Sequence, residues 1–214
     1  MITLPQYPNL HLVDHPLLKR DLSILRNKKT SNVVFRTILH RATRMMAYEV
    51  CSNLDLTDTE IETPLEKTTG YVLTEEVILV PILRAGIGMV DGFLDFLPDA
   101  KVGHVGLYRN EETLEPIDYY SKFPSTLDSS LIFLLDPMLA TGGSASAAIS
   151  FIKDKGGRRI RLINLFAAPE GVRKVSGAHD DVQIFAAALD RELNASGFIL
   201  PGLGDAGDRV FGTD

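Results

Sequence analysis

Two uninterrupted apolar runs constrain this chain more than any other feature: Val77-Ile78-Leu79-Val80-Pro81-Ile82-Leu83 and Leu131-Ile132-Phe133-Leu134-Leu135. A strand with one wet face alternates apolar and polar residues. A run that is apolar at every position fits a strand buried on both faces, the condition of a parallel sheet covered by helices. Each run is followed by a stretch with helical spacing, at about 87–96 and from Ala145 to Lys155. Further strands are predicted at 102–107, 159–166 and 181–185, with a short helix at about 170–177. Strand alternating with helix predicts an α/β fold built on a parallel sheet with right-handed crossovers.

The flanks read differently. Asp14 as N-cap and Pro16 in the first turn open a helix carrying Leu18, Leu22 and Leu25. Ser31 opens a second helix to about residue 53, with Phe35, Ile38, Leu39, Ala42, Met46 and Val50 on one side. The Thr-rich stretch 57–72 predicts a strand or a hairpin-like arm, and the polar stretch 109–128 no regular element. The glycine-rich end, 190–214, reads as an irregular hood anchored by Phe198, Ile199, Leu200 and Phe211. The expected organisation is one domain: N-terminal helices and arm (1–72), α/β core (73–187) and hood (188–214).

Bulk chemistry narrows the function. A net charge of -6 over 214 residues argues against a nucleic-acid partner, but not against a small anionic substrate met by a few arginines. One cysteine, Cys51, excludes an intramolecular disulfide and reads as a packed thiol. The five histidines lack metal-ligand spacing. No apolar run reaches the roughly 18 residues of a membrane span, so a cytoplasmic protein with no membrane partner is expected.

The chemistry concentrates where the second apolar run ends, at Asp136-Pro137-Met138-Leu139-Ala140-Thr141-Gly142-Gly143-Ser144. An acid ending a parallel strand stands at the carboxyl edge, where open α/β sheets bind ligands. Thr141, Gly142, Gly143 and Ser144 then offer hydroxyls and backbone N–H groups at a helix start, which favours a phosphate. Asp136 would repel that phosphate, so its role is to hold sugar hydroxyls or a hydrated metal. A plainer reading makes Thr141 an ordinary N-cap.

This segment resembles the phosphoribosyl-pyrophosphate (PRPP) loop of the type I phosphoribosyltransferases. With Pro137 where most sister families carry a second acid, its wording is that of the uracil phosphoribosyltransferase family. Pro81-Ile82-Leu83-Arg84-Ala85-Gly86 resembles the pyrophosphate loop, and Arg109-Asn110-Glu111-Glu112-Thr113-Leu114-Glu115-Pro116 the flexible loop. Residues 197–209 resemble the uracil-recognition hood. The likeness runs from about residue 5 to the end. It implies a pentosyltransferase of UMP salvage, making UMP and diphosphate from uracil and PRPP.

PRPP is then expected on Arg84, Arg109, Asp136, Pro137, Met138, Leu139, Ala140, Thr141, Gly142, Gly143, Ser144 and Asp205. Uracil is expected on backbone of Ile199, Gly204, Asp205 and Ala206, with carbonyl acceptors from the 199–200 region. Arg109 and Asp205 are the candidate catalytic residues, and the proton of uracil N1 is left to water, Asp205 or the diphosphate. Mg²⁺ is expected to arrive with PRPP and water, without direct protein ligands. The resemblance further implies GTP as a candidate effector and a non-proline cis peptide near Arg84-Ala85, while the exposed-looking arm 57–72 suggests a homodimer or larger homo-oligomer. The string Gly202-Leu203-Gly204-Asp205-Ala206-Gly207 matches the dinucleotide fingerprint, but it lacks the strand before it and the long helix after it.

Overall fold

The computed structural model describes the backbone of residues 1–109 and 116–213, with side chains except those of 107–109 and 116–119. In chain order the elements begin with β1 (Ile2–Leu4), β2 (Tyr7–Leu12), α1 (Pro16–Arg26) and α2 (Asn32–Val50). There follow β3 (Leu56–Glu62), β4 (Lys67–Leu73), β5 (Val77–Pro81), α3 (Ile87–Leu94) and β6 (Lys101–Val102). Next are β7 (His104–Arg109), β8 (Pro116–Lys122), β9 (Leu131–Leu135), β10 (Met138–Leu139) and α4 (Gly143–Asp154). The chain closes with β11 (Arg159–Ala167), α5 (Pro169–Ala178), β12 (Gln183–Leu189), β13 (Glu192–Leu193), β14 (Ile199–Leu200) and α6 (Ala206–Phe211).

Eight strands form the central sheet in the order β1-β2-β12-β11-β9-β5-β6, with β10 beside β11. All pairings in it are parallel except β1 with β2. The all-apolar reading of β9 is explained by what its two faces meet. Leu131, Phe133 and Leu135 pack with Phe35, Met46 and Phe93 beneath α2 and α3, while Ile132 and Leu134 pack with Ile149 and Ile152 of α4. Phe93 meets Phe133 edge-on at 5.6 Å between centroids, a geometry that adds to area burial. The predicted α/β class and the apolar face of α2 are thus borne out, with every residue of that face buried.

Several local expectations need correction. The cap of α1 is His15, whose Nδ1 accepts from the Leu17 N–H at 3.2 Å; Asp14 instead pairs with Lys19. The first helix is preceded by two strands the helical reading did not anticipate, because β2 gains its place by pairing with β12 at the far end of the chain. α2 ends at Val50, with Cys51 as its C-cap. The strand expected at 102–107 is divided at Gly103: β6 stays in the sheet and β7 leaves it to pair antiparallel with β8. The stretch 109–128 therefore contains a strand, while residues 110–115 lie outside the described residues. The arm is a hairpin, β3 against β4. In the hood, α6 and the β13–β14 pair replace the irregular path. Its buried anchors are Ile199, Leu203, Ala206 and Val210, with Phe198 and Phe211 exposed.

Gly86 shows how tightly the end of β5 is built. A Cβ there would stand 2.7 Å from both the nitrogen and the oxygen of Ile82 and against the Leu135 carbonyl. All three are backbone atoms, which cannot rotate aside. Gly86→Ala is expected to destabilise the protein by about 3 kcal/mol, the upper end of ordinary overpacking. Denaturant unfolding checks this, and a loss below about 1 kcal/mol contradicts the packing described.

Candidate active site

The site grows from the carboxyl ends of β5 and β9. At the end of β9 the ladder to β11 is interrupted. The Asp136 N–H still reaches the Ile163 carbonyl at 3.1 Å, but Pro137 has no N–H to give. The Pro137 carbonyl accepts from both Leu165 (3.1 Å) and Phe166 (3.0 Å), and Asn164 Nδ2 donates to the Asp136 carbonyl at 2.6 Å. Pairing resumes at Met138 opposite Phe166. Asn164, fully buried, supports this turn and was missed by the sequence reading; its signal was a lone amide in the apolar half of the strand.

The Asp136 carboxylate is turned out of the sheet by this interruption. One oxygen accepts from the Met138 N–H at 3.2 Å, and no cation pairs with it among the described residues. Burial pushes its pKa from 3.8 up to about 7, the Met138 hydrogen bond opposing only in part. It is a carboxyl that awaits a partner.

Beyond β10 the chain turns through Thr141 into α4. The cap is Gly142, in the left-handed region at φ 76°, and not Thr141, whose hydroxyl accepts from the Gly143 N–H at 3.4 Å. Thr141 and Ser144 are exposed, and the first-turn N–H groups that no helix can satisfy internally face outward. The turn leans on the start of α5. A Cβ on Gly142 would meet the Gly171 carbonyl at 2.9 Å, and a Cβ on Gly171 the carbonyls of Ala140 (2.5 Å) and Leu139 (2.9 Å). Glu170-Gly171 thus does begin a helix, and Gly171 also supports the turn. Glu170 Oε1 accepts from the Leu193 N–H at 3.2 Å, joining α5 to the hood.

Arg84 follows β5, with a cis peptide at Leu83–Arg84, one bond before the position expected. Its guanidinium is half exposed and held from the hood: Nη2 lies 3.2 Å from Asp208 Oδ1 and Nη1 3.3 Å from Thr213 Oγ1. Asp205 caps α6, its Oδ1 accepting from the Asp208 N–H at 2.9 Å. The side chain expected to face the substrate is therefore partly engaged in its own turn. Hydrogen bonds from Thr213 and Arg84 outweigh burial and hold Asp208 below the usual carboxylate range. The Arg109 backbone ends β7, and its side chain lies outside the described residues.

A cleft of about 240 Å³ joins these parts, Asp136, Met138 and Ala140 on one wall and Ile199, Gly204 and Ala206 on the other. That is below the roughly 300–1,000 Å³ of drug-sized sites and suits a small planar ring. The hood wall is mostly backbone. Gly204 takes φ 84° with nothing within 4 Å of where a Cβ would stand, so the conformation, not crowding, requires glycine there. The Leu200 carbonyl already accepts from the Arg191 N–H at 3.0 Å and keeps one lone pair. Among the described residues no three His, Cys, Asp or Glu side chains converge on a metal position, and no helix is long and apolar enough to cross a membrane.

Comparisons with known proteins agree with this geometry. A uracil phosphoribosyltransferase of Salinibacter ruber is 55% identical over 205 residues, 96% of this chain and 98% of that protein. One of Fervidobacterium nodosum is 53% identical over 205 residues, 95% and 99% of the two chains. A solved structure from Aquifex aeolicus superposes with a TM-score of 0.89 at 38% identity, covering 94% of this chain and 97% of that one. An adenine phosphoribosyl transferase from Trypanosoma brucei, 14% identical with a TM-score of 0.60 over 96% and 92%, shares the fold. The family model described as uracil phosphoribosyltransferase matches residues 12–213, and the chain belongs to that family.

Proposed function

We propose that the chain joins uracil N1 to the anomeric carbon of PRPP, breaking the bond to diphosphate and releasing UMP, as a step of uracil salvage in the cytoplasm. The observation that carries this reading is the single cleft shared by the Asp136–Ala140 wall and the backbone wall of Ile199, Gly204 and Ala206. The 5′-phosphate fits the hydroxyls of Thr141 and Ser144 and the first-turn N–H groups at the start of α4, and the ribose hydroxyls fit Asp136. Arg84 and Arg109 supply the positive charge that a leaving diphosphate demands. Uracil fits the hood because its two carbonyls and N3–H match backbone donors at Gly204 and Ala206 and an acceptor at Ile199. Cytosine would set an amino group against a donor and leave buried groups unpaired.

Mg²⁺ bound with PRPP would neutralise the diphosphate, with the unpaired oxygen of Asp136 and the Asp205 carboxylate as the acids that could meet its water shell. The proton of N1 leaves to water, to Asp205 or to the diphosphate. We further infer a homo-oligomer. The β3–β4 hairpin pairs only with itself and exposes Ile61, Leu65 and Tyr71, and such hairpins are marginal alone. A second copy of the chain would cover it.

UMP formation from uracil and PRPP, measured with and without Mg²⁺ and with GTP added, is the direct test. Product should require Mg²⁺, GTP should raise the rate if it is an effector, and absence of product in every arm would sink the assignment. Arg109→Ala is expected to lower kcat/KM for PRPP by an amount worth roughly 1.5–3 kcal/mol, one charge-assisted contact; unchanged kinetics remove Arg109 from the site. For Asp136 the sign follows from its raised pKa. The neutral carboxyl favours folding fully below pH 3.8, and that contribution is lost as pH rises through about 7. Asp136→Asn should therefore raise the melting temperature of the free protein at pH 8 and leave it unchanged near pH 3.5, while slowing turnover of PRPP. Equal melting shifts at both pH values contradict the buried carboxyl.

A further inference from the structure

The hood has little regular structure of its own, yet its backbone is where the base is read. Two arginines tie it to the end of α1. Arg26, in the last turn of α1, meets Asp190 two-pronged, Nη1–Oδ2 at 2.7 Å and Nη2–Oδ1 at 2.5 Å. The same pair holds both backbone groups of one residue: Arg26 Nη1 donates to the Gly202 carbonyl at 3.0 Å, and the Gly202 N–H donates to Asp190 Oδ2 at 3.0 Å. The guanidinium stacks on the Phe166 ring, 4.3 Å from its centroid. The Asp190 side chain is 5% exposed and that of Arg26 25%, so solvent competes little for either.

Gly202 is the pivot between Ile199 and Gly204. It takes φ 53°, and a Cβ on it would press on the Ile199 carbonyl. Holding Gly202 therefore sets the direction of that carbonyl on one side and the start of the 204–206 backbone on the other. Arg209 acts in the opposite sense, from α6 back to α1. It donates to the Leu203 carbonyl at 3.1 Å, to the Asn27 carbonyl at 2.7 Å and to the Leu25 carbonyl, with its guanidinium over Phe35. The final carbonyls of α1, which a helix cannot satisfy internally, thereby gain a cation.

We propose that Arg26 and Asp190 are positioning residues for base recognition, fixing Gly202 and through it the Ile199 and Gly204–Ala206 backbone that meets uracil. This rests on the uracil reading above. Neither residue lines the cleft, so their effect is transmitted through the backbone. A pair that only stabilised the fold would weaken both substrates alike. A pair that positions the hood acts mainly on uracil, because the phosphate turn belongs to α4 and α5 and the hood groups nearest Arg84 are set by the turn of α6 itself.

The test is steady-state kinetics of Arg26→Lys, which keeps the charge but loses the planar two-pronged grip, and of Asp190→Asn, which keeps the shape. In both, KM for uracil should rise roughly tenfold, the scale of one charge-assisted hydrogen bond, with KM for PRPP and kcat within about twofold. Discrimination against cytosine should fall in parallel. KM for uracil unmoved in both variants, or both KM values rising together, overturns the proposal. Wild-type protein assayed alongside separates the two claims, since a wild type inactive on uracil defeats the uracil reading itself.

Discussion

Everything at the catalytic edge depends on one interruption in the pairing of β9 with β11. The register is kept across it, with Leu135 opposite Ile163 and Met138 opposite Phe166. Between these points the backbone must leave the ladder without stranding a buried donor. Pro137 makes that possible, having no N–H to leave unpaired, and its carbonyl takes two N–H groups from the facing strand. Asn164 satisfies the Asp136 carbonyl that the departure exposes. An ordinary residue at position 137 would bring a donor into a dry edge, at the roughly 1–3 kcal/mol of an unsatisfied buried group. The same proline that denies the loop a second acid is thus what allows the first to stand clear.

Clear of the sheet, Asp136 is a carboxyl under strain of burial. It lies near the end of a strand whose neighbours are apolar and has a single N–H partner. Arg84 and the first turn of α4 lie beyond the cleft lining, and neither pairs with Asp136. The carboxyl and the cationic groups are thus held apart. A closer arginine would lower the Asp136 pKa and take up its carboxylate. Arg84 is instead kept at the hood side by Asp208 and Thr213.

The parts legible in the sequence were those whose cause is local. Val77 to Pro81 and Leu131 to Leu135 are apolar at every position because both faces are covered, and that pattern is visible without coordinates. Ser31 as a cap was legible because its hydroxyl acts on a residue three positions away. What was not legible depends on distant partners. β2 reads as mixed and contains a proline, and becomes a strand only beside β12, which lies more than 170 residues later. β7 was expected in the sheet because its own residues fit a strand; only its pairing with β8 takes it out. Gly171 carried no sign that it makes room for the Leu139 and Ala140 carbonyls. For the hood, Phe198 and Phe211 were the obvious apolar anchors, yet both are exposed. Ile199, Leu203, Ala206 and Val210 anchor it instead, and Arg26 and Arg209 add ties to partners more than 160 residues away.

The addition of charged ties to apolar anchors has a physical logic. Hydrophobic contact is strong but tolerates sliding, since area buried changes little with a shift of an ångström. A planar guanidinium bonded to a carboxylate and to a named carbonyl has one good geometry. Buried ion pairs contribute modestly to net stability, because desolvation offsets most of the attraction. Apolar residues of similar volume replacing both Arg26 and Asp190 could hold the hood in place about as firmly. They could not fix the orientation of Gly202, and recognition of a base by backbone groups depends on orientation more than on depth of burial. Recognition by a few peptide groups would need directional support behind them, and the directional contacts to Gly202 come from α1, outside the cleft.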